Sequence, residues 1–400
     1  MVIVQINQVF PYGSTGKLVL ALHNYLLASG QDSYVFYAHG DKTDGRCVKN
    51  SSEVYSKIQA LICKITGIPY GGCFFSTGRI IKRIKRIKPD IVHLHCINGH
   101  VANIYKLVSW LKKNSIKTVI TLHAEFIFTA NCSHSFDCQK WKTGCKKCPN
   151  PRKATGTWFF SRTHRSWMEM KKAFHGFSSN LKIVSVSPWL MLRAQQSPIL
   201  ADGSHLTILN GLDDHIFHYQ NNTAYIKAEL GIINKKIIFY VTPFFSIKPG
   251  HIKGGEYLIH LAREMNDVEF LVAGPISKGV STPPNVRLLG NIANQQKLAS
   301  LYSIADLTII TSKRETFSMV VAESLCCGTP VVGFKAGGPE TVSMPSYSTF
   351  VDQGDVDSLK RTAEVYLNSK FDKRLISKEA IAKYSSETMS REYFKIYKSL

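Results

Sequence analysis

Along this chain, short apolar runs alternate with stretches of helical period, and the whole alternation occurs twice. In the first half, residues 2–9, 34–37, 90–95, 118–122 and 182–186 read as strands, with helical periods at 17–28 and 104–112 and a Gly-rich turn at 13–16. Runs that are apolar throughout suit strands covered on both faces, so the expected sheet is parallel and assembled from βαβ units. The second half repeats the scheme, with strands at 237–241, 269–273, 307–311 and 330–334 and helices at 255–263, 294–303, 319–327 and 356–367. Between the halves, residues 197–215 carry the turn pairs Asp202-Gly203 and Asn210-Gly211. The expected fold class is α/β: two Rossmann-like, doubly wound domains at 1–195 and 205–380. A C-terminal helix at 381–400 is expected to return to the first domain. Ligands of such folds gather at the carboxyl ends of strands, so a cleft between the domains is the expected site.

A length of 400 residues suits two cores better than one. No run approaches the eighteen or so apolar residues of a membrane span. The opening MVIVQINQVF has neither a charged leader nor a small-residue cleavage site and reads as a first strand. A cytoplasmic setting follows as the expectation, with the ten cysteines mostly reduced. Charge is unevenly placed. Residues 1–200 hold 28 Lys and Arg against 8 Asp and Glu, whereas residues 201–400 hold 22 against 20. A basic half joined to a neutral one implies that one domain meets an anionic partner: a phospholipid surface, a lipid diphosphate or nucleic acid. The densest basic run, residues 79–88, places Ile80, Ile84 and Ile87 at helical spacing. It is either a surface helix with solvated cations or a basic amphipathic helix drawn to an anionic membrane.

The most specific motif is RETFSMVVAESLCCGTPVV at residues 314–332. A strand enters a polar loop, then a helix that stops at Gly328. The helix start at Ser318, Met319 and Val320 offers backbone N–H groups and a positive dipole end to a diphosphate. Glu315 and Glu323, eight positions apart, bracket that start and can accept hydrogen bonds from sugar hydroxyls.

These residues resemble the Glu-x7-Glu motif of retaining GT-B glycosyltransferases, and their surroundings look like glycosyltransferase family 4. The resemblance implies that Glu323 holds the nucleotide ribose and that Glu315 contacts the transferred sugar near the reacting centre. It also implies that Lys253, in a Lys-Gly-Gly stretch opening a helix, neutralises donor phosphate. Family members carry an arginine a few residues earlier; here Lys248 stands nearest, without the bidentate fork of arginine. Gly13 and Gly16 follow the first strand, and their spacing is not that of a Walker loop. They resemble the family's glycine-rich loop beneath the donor diphosphate. His123 ends a strand where the family places a histidine that hydrogen-bonds the donor sugar, although Ala124 stands where an Asp commonly follows.

Cys132, Cys138, Cys145 and Cys148 fall within 17 residues. Reduced, they suit a closed structural zinc site; free thiols or redox-labile pairs are the alternative. This stretch also resembles an insertion in the family branch associated with bacterial surface polysaccharides. The implied activity is a retaining hexosyl transfer from a nucleoside-diphosphate sugar to a glycan or lipid-linked glycan. Its setting would be capsule, O-antigen, lipopolysaccharide or exopolysaccharide synthesis, in the cytoplasm or at the inner membrane face. No catalytic cofactor and no nucleic-acid partner are expected. Another GT-B-like enzyme, an epimerase or a glycan phosphorylase, is the competing reading, and a nucleic-acid binder resting on charge alone is the third.

Overall fold

The computed structural model describes residues 1–41, 44–221 and 224–400. The chain forms two compact units, Met1–Leu209 with Met389–Leu400, and Asn210–Thr388. The limits lie later than the residues 195–205 and 380 read from the sequence, for two reasons. A short strand at Ser204–Thr207 pairs with the first sheet. Leu212 exchanges backbone hydrogen bonds with Tyr384 and Ser386, at 2.7 Å each, which holds that stretch to the second unit.

The first unit is built on strands β1 (Val2–Ile6), β2 (Asp32–Tyr37), β3 (Cys47–Lys49), β4 (Ile91–Leu94), β5 (Lys117–Leu122), β6 (Leu181–Ser185) and β7 (Ser204–Thr207). They form one parallel sheet in the order β3-β2-β1-β4-β5-β6-β7. The second unit uses β8 (Lys236–Val241), β9 (Val268–Ala273), β10 (Val286–Gly290), β11 (Leu307–Ile310), β12 (Val331–Phe334) and β13 (Ser348–Val351). Their parallel order is β10-β9-β8-β11-β12-β13. Both sheets reverse winding direction once, between β1 and β4 and between β8 and β11. In a doubly wound sheet that reversal opens a crevice at the strands' carboxyl ends.

Four helices of the first unit matter below: α1 (Gly13–Ala28), α2 (Glu53–Thr66), α3 (Phe74–Ile87) and α4 (Ile104–Lys113). The core between α1 and the sheet joins Leu18, Leu22 and Leu26 to Ile3, Ile91, Val119 and Val184. The helix Ser386–Ser399 completes it, its Met389, Tyr393, Ile396 and Tyr397 packing in the same cluster. Tyr393 Oη lies 2.8 Å from Thr121 Oγ1, and Tyr397 Oη lies 2.6 Å from His93 Nδ1. The last helix is thus tied to β4 and β5 by its own polar groups.

The basic run is α3, which buries Ile80 and Ile84 and leaves Lys82, Lys85 and Arg86 exposed. Burying two such side chains stabilises its seat by roughly 1.5–3 kcal/mol each. Among the described residues no helix is long and apolar enough to cross a membrane.

Candidate functional site

The second sheet's reversal point brings β8 and β11 side by side. Tyr240 on β8 and Thr311, just past β11, both donate hydroxyl hydrogen bonds to the Lys253 carbonyl, Thr311 at 3.0 Å. Gly254 follows in the left-handed region, at φ 66°, and a Cβ there would stand 2.2 Å from the Thr311 carbonyl oxygen. Only glycine lets the chain come this close. The helix Gly255–Glu264 starts immediately after, so Lys253 projects from a fixed turn. Its ammonium donates to Glu315 Oε1 at 2.9 Å.

Glu315 is held from the other side. Its N–H donates to the Ala336 carbonyl at 3.0 Å, and its carbonyl accepts from Gly338 N–H at 2.8 Å. A Cβ on Gly338 would meet the Thr316 carbonyl carbon at 2.4 Å. Glu340 fixes that loop by accepting from the N–H groups of Ala336 (3.0 Å) and Gly337 (2.8 Å). Burial acts to raise the Glu315 pKa, but the Lys253 ammonium and the Ser312 and Ser318 hydroxyls outweigh it and hold the carboxyl below its usual range. Glu315 is an anion at neutral pH, half-buried beside a cation.

After Ser318, buried and at φ 77°, the helix Met319–Cys326 begins. Met319 and Val320 are partly exposed in its first turn, where N–H groups have no intrahelical acceptor. One turn on, Glu323 accepts from the buried Tyr302 hydroxyl at 2.9 Å. Burial, then the Glu323 carboxylate, push the Tyr302 phenol well above its ordinary value, so it stays a donor. Gly328, at φ 80°, lies under the Lys373 backbone and ends the helix. The structure therefore brings Lys253, Glu315, Ser318, Met319, Val320 and Glu323 to one strand-end region of this unit. Lys248 is exposed on the loop before Lys253. The nearby Lys313 faces Glu256 instead, at 3.6 Å. Sequence reasoning missed two supporting residues. Glu340 was legible as an acid in a first helical turn, three residues after the Gly337 whose N–H it accepts from; Tyr302 had no sequence signal.

In the first unit the expected turn at 13–16 is already helix, because α1 starts at Gly13. Gly13, at φ 71°, is exposed, whereas a Cβ on Gly16 would stand 3.0 Å from the Val9 carbonyl oxygen. Both lie beyond β1, at that sheet's reversal point. His123 sits just past β5, its Nε2 3.5 Å from His95 Nδ1, and His95 in turn stacks on His93 with ring centroids 3.8 Å apart. Burial lowers the His123 pKa to about 4 and depresses His93 and His95 as well. The three are neutral imidazoles at pH 7.

Cys132, Cys138, Cys145 and Cys148 line one small cavity with Trp141 and Pro149, all four as free thiols. Burial pushes Cys132 and Cys145 up to about 12. Among the described residues no group of three or more His, Cys, Asp or Glu side chains is placed to hold a metal ion. The four thiols that the sequence gathers within 17 residues thus share one cavity in the structure.

Residues 227–385, which contain every residue of the strand-end region just described, match the family of glycosyl transferases group 1. The chain carries a glycosyltransferase group 1 domain. Over its whole length the chain is 22% identical to a protein of Escherichia coli (strain K12) named as a colanic acid biosynthesis glycosyl transferase, WcaC, with 100% of each covered. Its fold is similar to that of a sucrose-phosphate synthase from Thermosynechococcus elongatus, at TM-score 0.67 and 17% identity, covering 99% of this chain and 98% of that one. It is also similar to Anabaena Alr3699/HepE in complex with UDP, at TM-score 0.63 and 16% identity, with 100% of both covered. Two Rossmann-like units of this kind are the GT-B architecture. In this glycosyltransferase group 1 domain, the Lys253–Glu315 pair stands at the winding reversal.

Proposed function

We propose that the protein is a retaining glycosyltransferase of the family 4 type, moving a hexose from a nucleoside-diphosphate sugar to a glycan or lipid-linked glycan of a bacterial surface polysaccharide. The observation that carries this reading is the half-buried Lys253–Glu315 pair at 2.9 Å, beside the start of the helix that carries Glu323. A diphosphate seated at the amides of Met319 and Val320 gains the helix dipole and the Lys253 charge, with Lys248 on the loop beside it. Glu323, oriented by Tyr302, accepts from the ribose hydroxyls. Glu315 accepts from the transferred sugar and keeps Lys253 aimed at the phosphate oxygens. His123, as a neutral imidazole, is suited to hydrogen-bond a sugar hydroxyl. Gly13 and Gly16 leave room at the start of α1 for a phosphate group.

In the reaction the bond from the sugar's C1 to the diphosphate oxygen breaks, and a bond from C1 to the acceptor oxygen forms on the same face. The acceptor's proton passes to the departing diphosphate, whose growing charge Lys253 and the helix amides stabilise. A nucleotide-sugar donor is supported by the UDP and UDP-glucose complexes of the Anabaena protein. A polysaccharide setting is supported by the name of the E. coli relative.

The deciding measurement is release of nucleoside diphosphate with paired donor and acceptor extracts, after a thermal-shift screen has chosen the donor. Transfer predicts release that depends on acceptor, with the product's anomeric configuration matching the donor's. Consumption of inorganic phosphate with formation of a sugar 1-phosphate, or isomerised donor without acceptor, would overturn it.

A further inference from the structure

The helix α2 is turned inside out. It buries Ser56 and Cys63, while Val54, Ile58, Leu61, Ile62 and Ile65 form one exposed stripe, Val54 at 68% and Ile58 at 51% exposure. Its inner face is held by polar contacts: Ser56 to Ser51 at 3.1 Å, Cys63 to the Pro69 carbonyl at 3.5 Å, and Gln59 Oε1 accepting from Cys73 N–H at 2.8 Å. An amphipathic helix normally does the reverse. A contiguous outward apolar stripe needs a partner.

Two further apolar groups join the stripe. The segment Trp158, Phe159 and Phe160 is exposed, Phe159 at 69%, and is anchored to the end of α2 by Trp158 N–H donating to the Lys64 carbonyl at 2.8 Å. Phe74 and Phe75, at the start of α3, are exposed too, and Phe75 packs edge-on against Tyr55 of α2 with centroids 6.5 Å apart. Cations lie against these rings: Lys64 over Trp158 (5.6 Å), Lys106 over Phe74 (5.7 Å) and Arg162 over Phe160 (5.4 Å). Beside the stripe, and sharing Ile62 and Phe74 with it, runs a groove of about 640 Å³ lined by Lys106, Arg162, Arg165 and Lys172 against a single acid, Glu169.

We propose that this face of the first unit docks on an anionic phospholipid bilayer. The apolar stripe and the aromatic rings enter the headgroup–acyl boundary, the lysine and arginine heads stay at headgroup level, and lipid phosphates occupy the basic groove. Aromatic rings backed by cations are the side-chain chemistry of that boundary. A second copy of the chain fits worse, because a two-fold contact would bring two copies of the same cation-rich face together. The basic helix α3 contributes its first turn to the face, through Phe74 and Phe75, and not its Ile80 and Ile84.

The test is co-sedimentation of the full chain with vesicles, which needs no donor and so stands apart from the activity assigned above. Phosphatidylcholine vesicles containing phosphatidylglycerol should bind the protein, and pure phosphatidylcholine should bind it at least about tenfold less. Raising salt to about 0.5 M should weaken binding without abolishing it. The double variant Phe75→Ser/Phe159→Ser should lose at least about tenfold in partition while keeping its thermal midpoint, because both rings are exposed. Equal partition of variant and native chain overturns the proposal. So does absence of partition, including the case in which the native chain is a dimer that this variant dissociates.

Discussion

The two units wind their strands in the same way, yet they fill the reversal point with different chemistry. In the first, β1 and β4 lead to the open start of α1 and to an exposed glycine, and the nearby polar groups are neutral imidazoles stacked at the ends of β4 and β5. In the second, β8 and β11 lead to a half-buried ion pair. The comparison separates what a fold supplies, a place, from what side chains supply, a charge pattern. A fixed cation–carboxylate pair suits the leaving diphosphate and the sugar; uncharged imidazoles beside a helix start suit hydroxyls and a surface that binds without committing charge.

The largest expected effect is on the ion pair. If Glu315 stands at the reacting centre as proposed, Glu315→Gln should lower kcat by roughly 10²–10³-fold, with only a small fall in thermal midpoint from the lost ion pair. His123→Ala should cost about tenfold, so equal losses in the two variants would break the contrast between the units. Next comes the turn that aims Lys253. Gly254→Ala places a Cβ at φ 66° within 2.2 Å of a backbone oxygen, and should destabilise the second unit by about 2–4 kcal/mol in a denaturant titration.

A smaller effect separates the units by pH. The folded-state pKa values of His93, His95 and His123 are depressed below 6.5, so the unfolded chain takes up protons first. Their contribution is complete above pH 6.5 and is lost as pH falls, that of His123 by about pH 4. Glu315 is also depressed, but from 4.5, so its contribution goes only below that range. Hydrogen exchange at pH 7 and pH 5 should therefore show the first unit losing about 1–2 kcal/mol and the second less. The smallest expected change is Lys248→Ala, an exposed loop cation, which should weaken donor binding by under about fivefold in a calorimetric titration. A larger loss would give Lys248 a direct contact with the donor phosphate.

The parallel two-sheet fold was legible because apolar runs covered on both faces and separated by helical periods have few other ways to pack. Glu315 and Glu323 were legible as a motif around a helix start, and Lys253 through the resemblance of its Lys-Gly-Gly stretch to the family's. The short strands β3, β7, β10 and β13 were not, being only three to five residues long and each of them mostly partly exposed. Their pairing partner, not their own pattern, makes them strands.

What the sequence determined by itself, then, is the order of elements, the uneven charge, and the two acids eight positions apart, all of them local in the chain. The tertiary structure alone decided that Lys253 meets Glu315 across 62 positions, that Tyr393 and Tyr397 return to β4 and β5, and that α2 shows its isoleucines outward. Periodicity announces that a helix has an apolar face. Which way that face turns depends on what the neighbouring elements leave unfilled, and for α2 they left room only for a serine and a thiol.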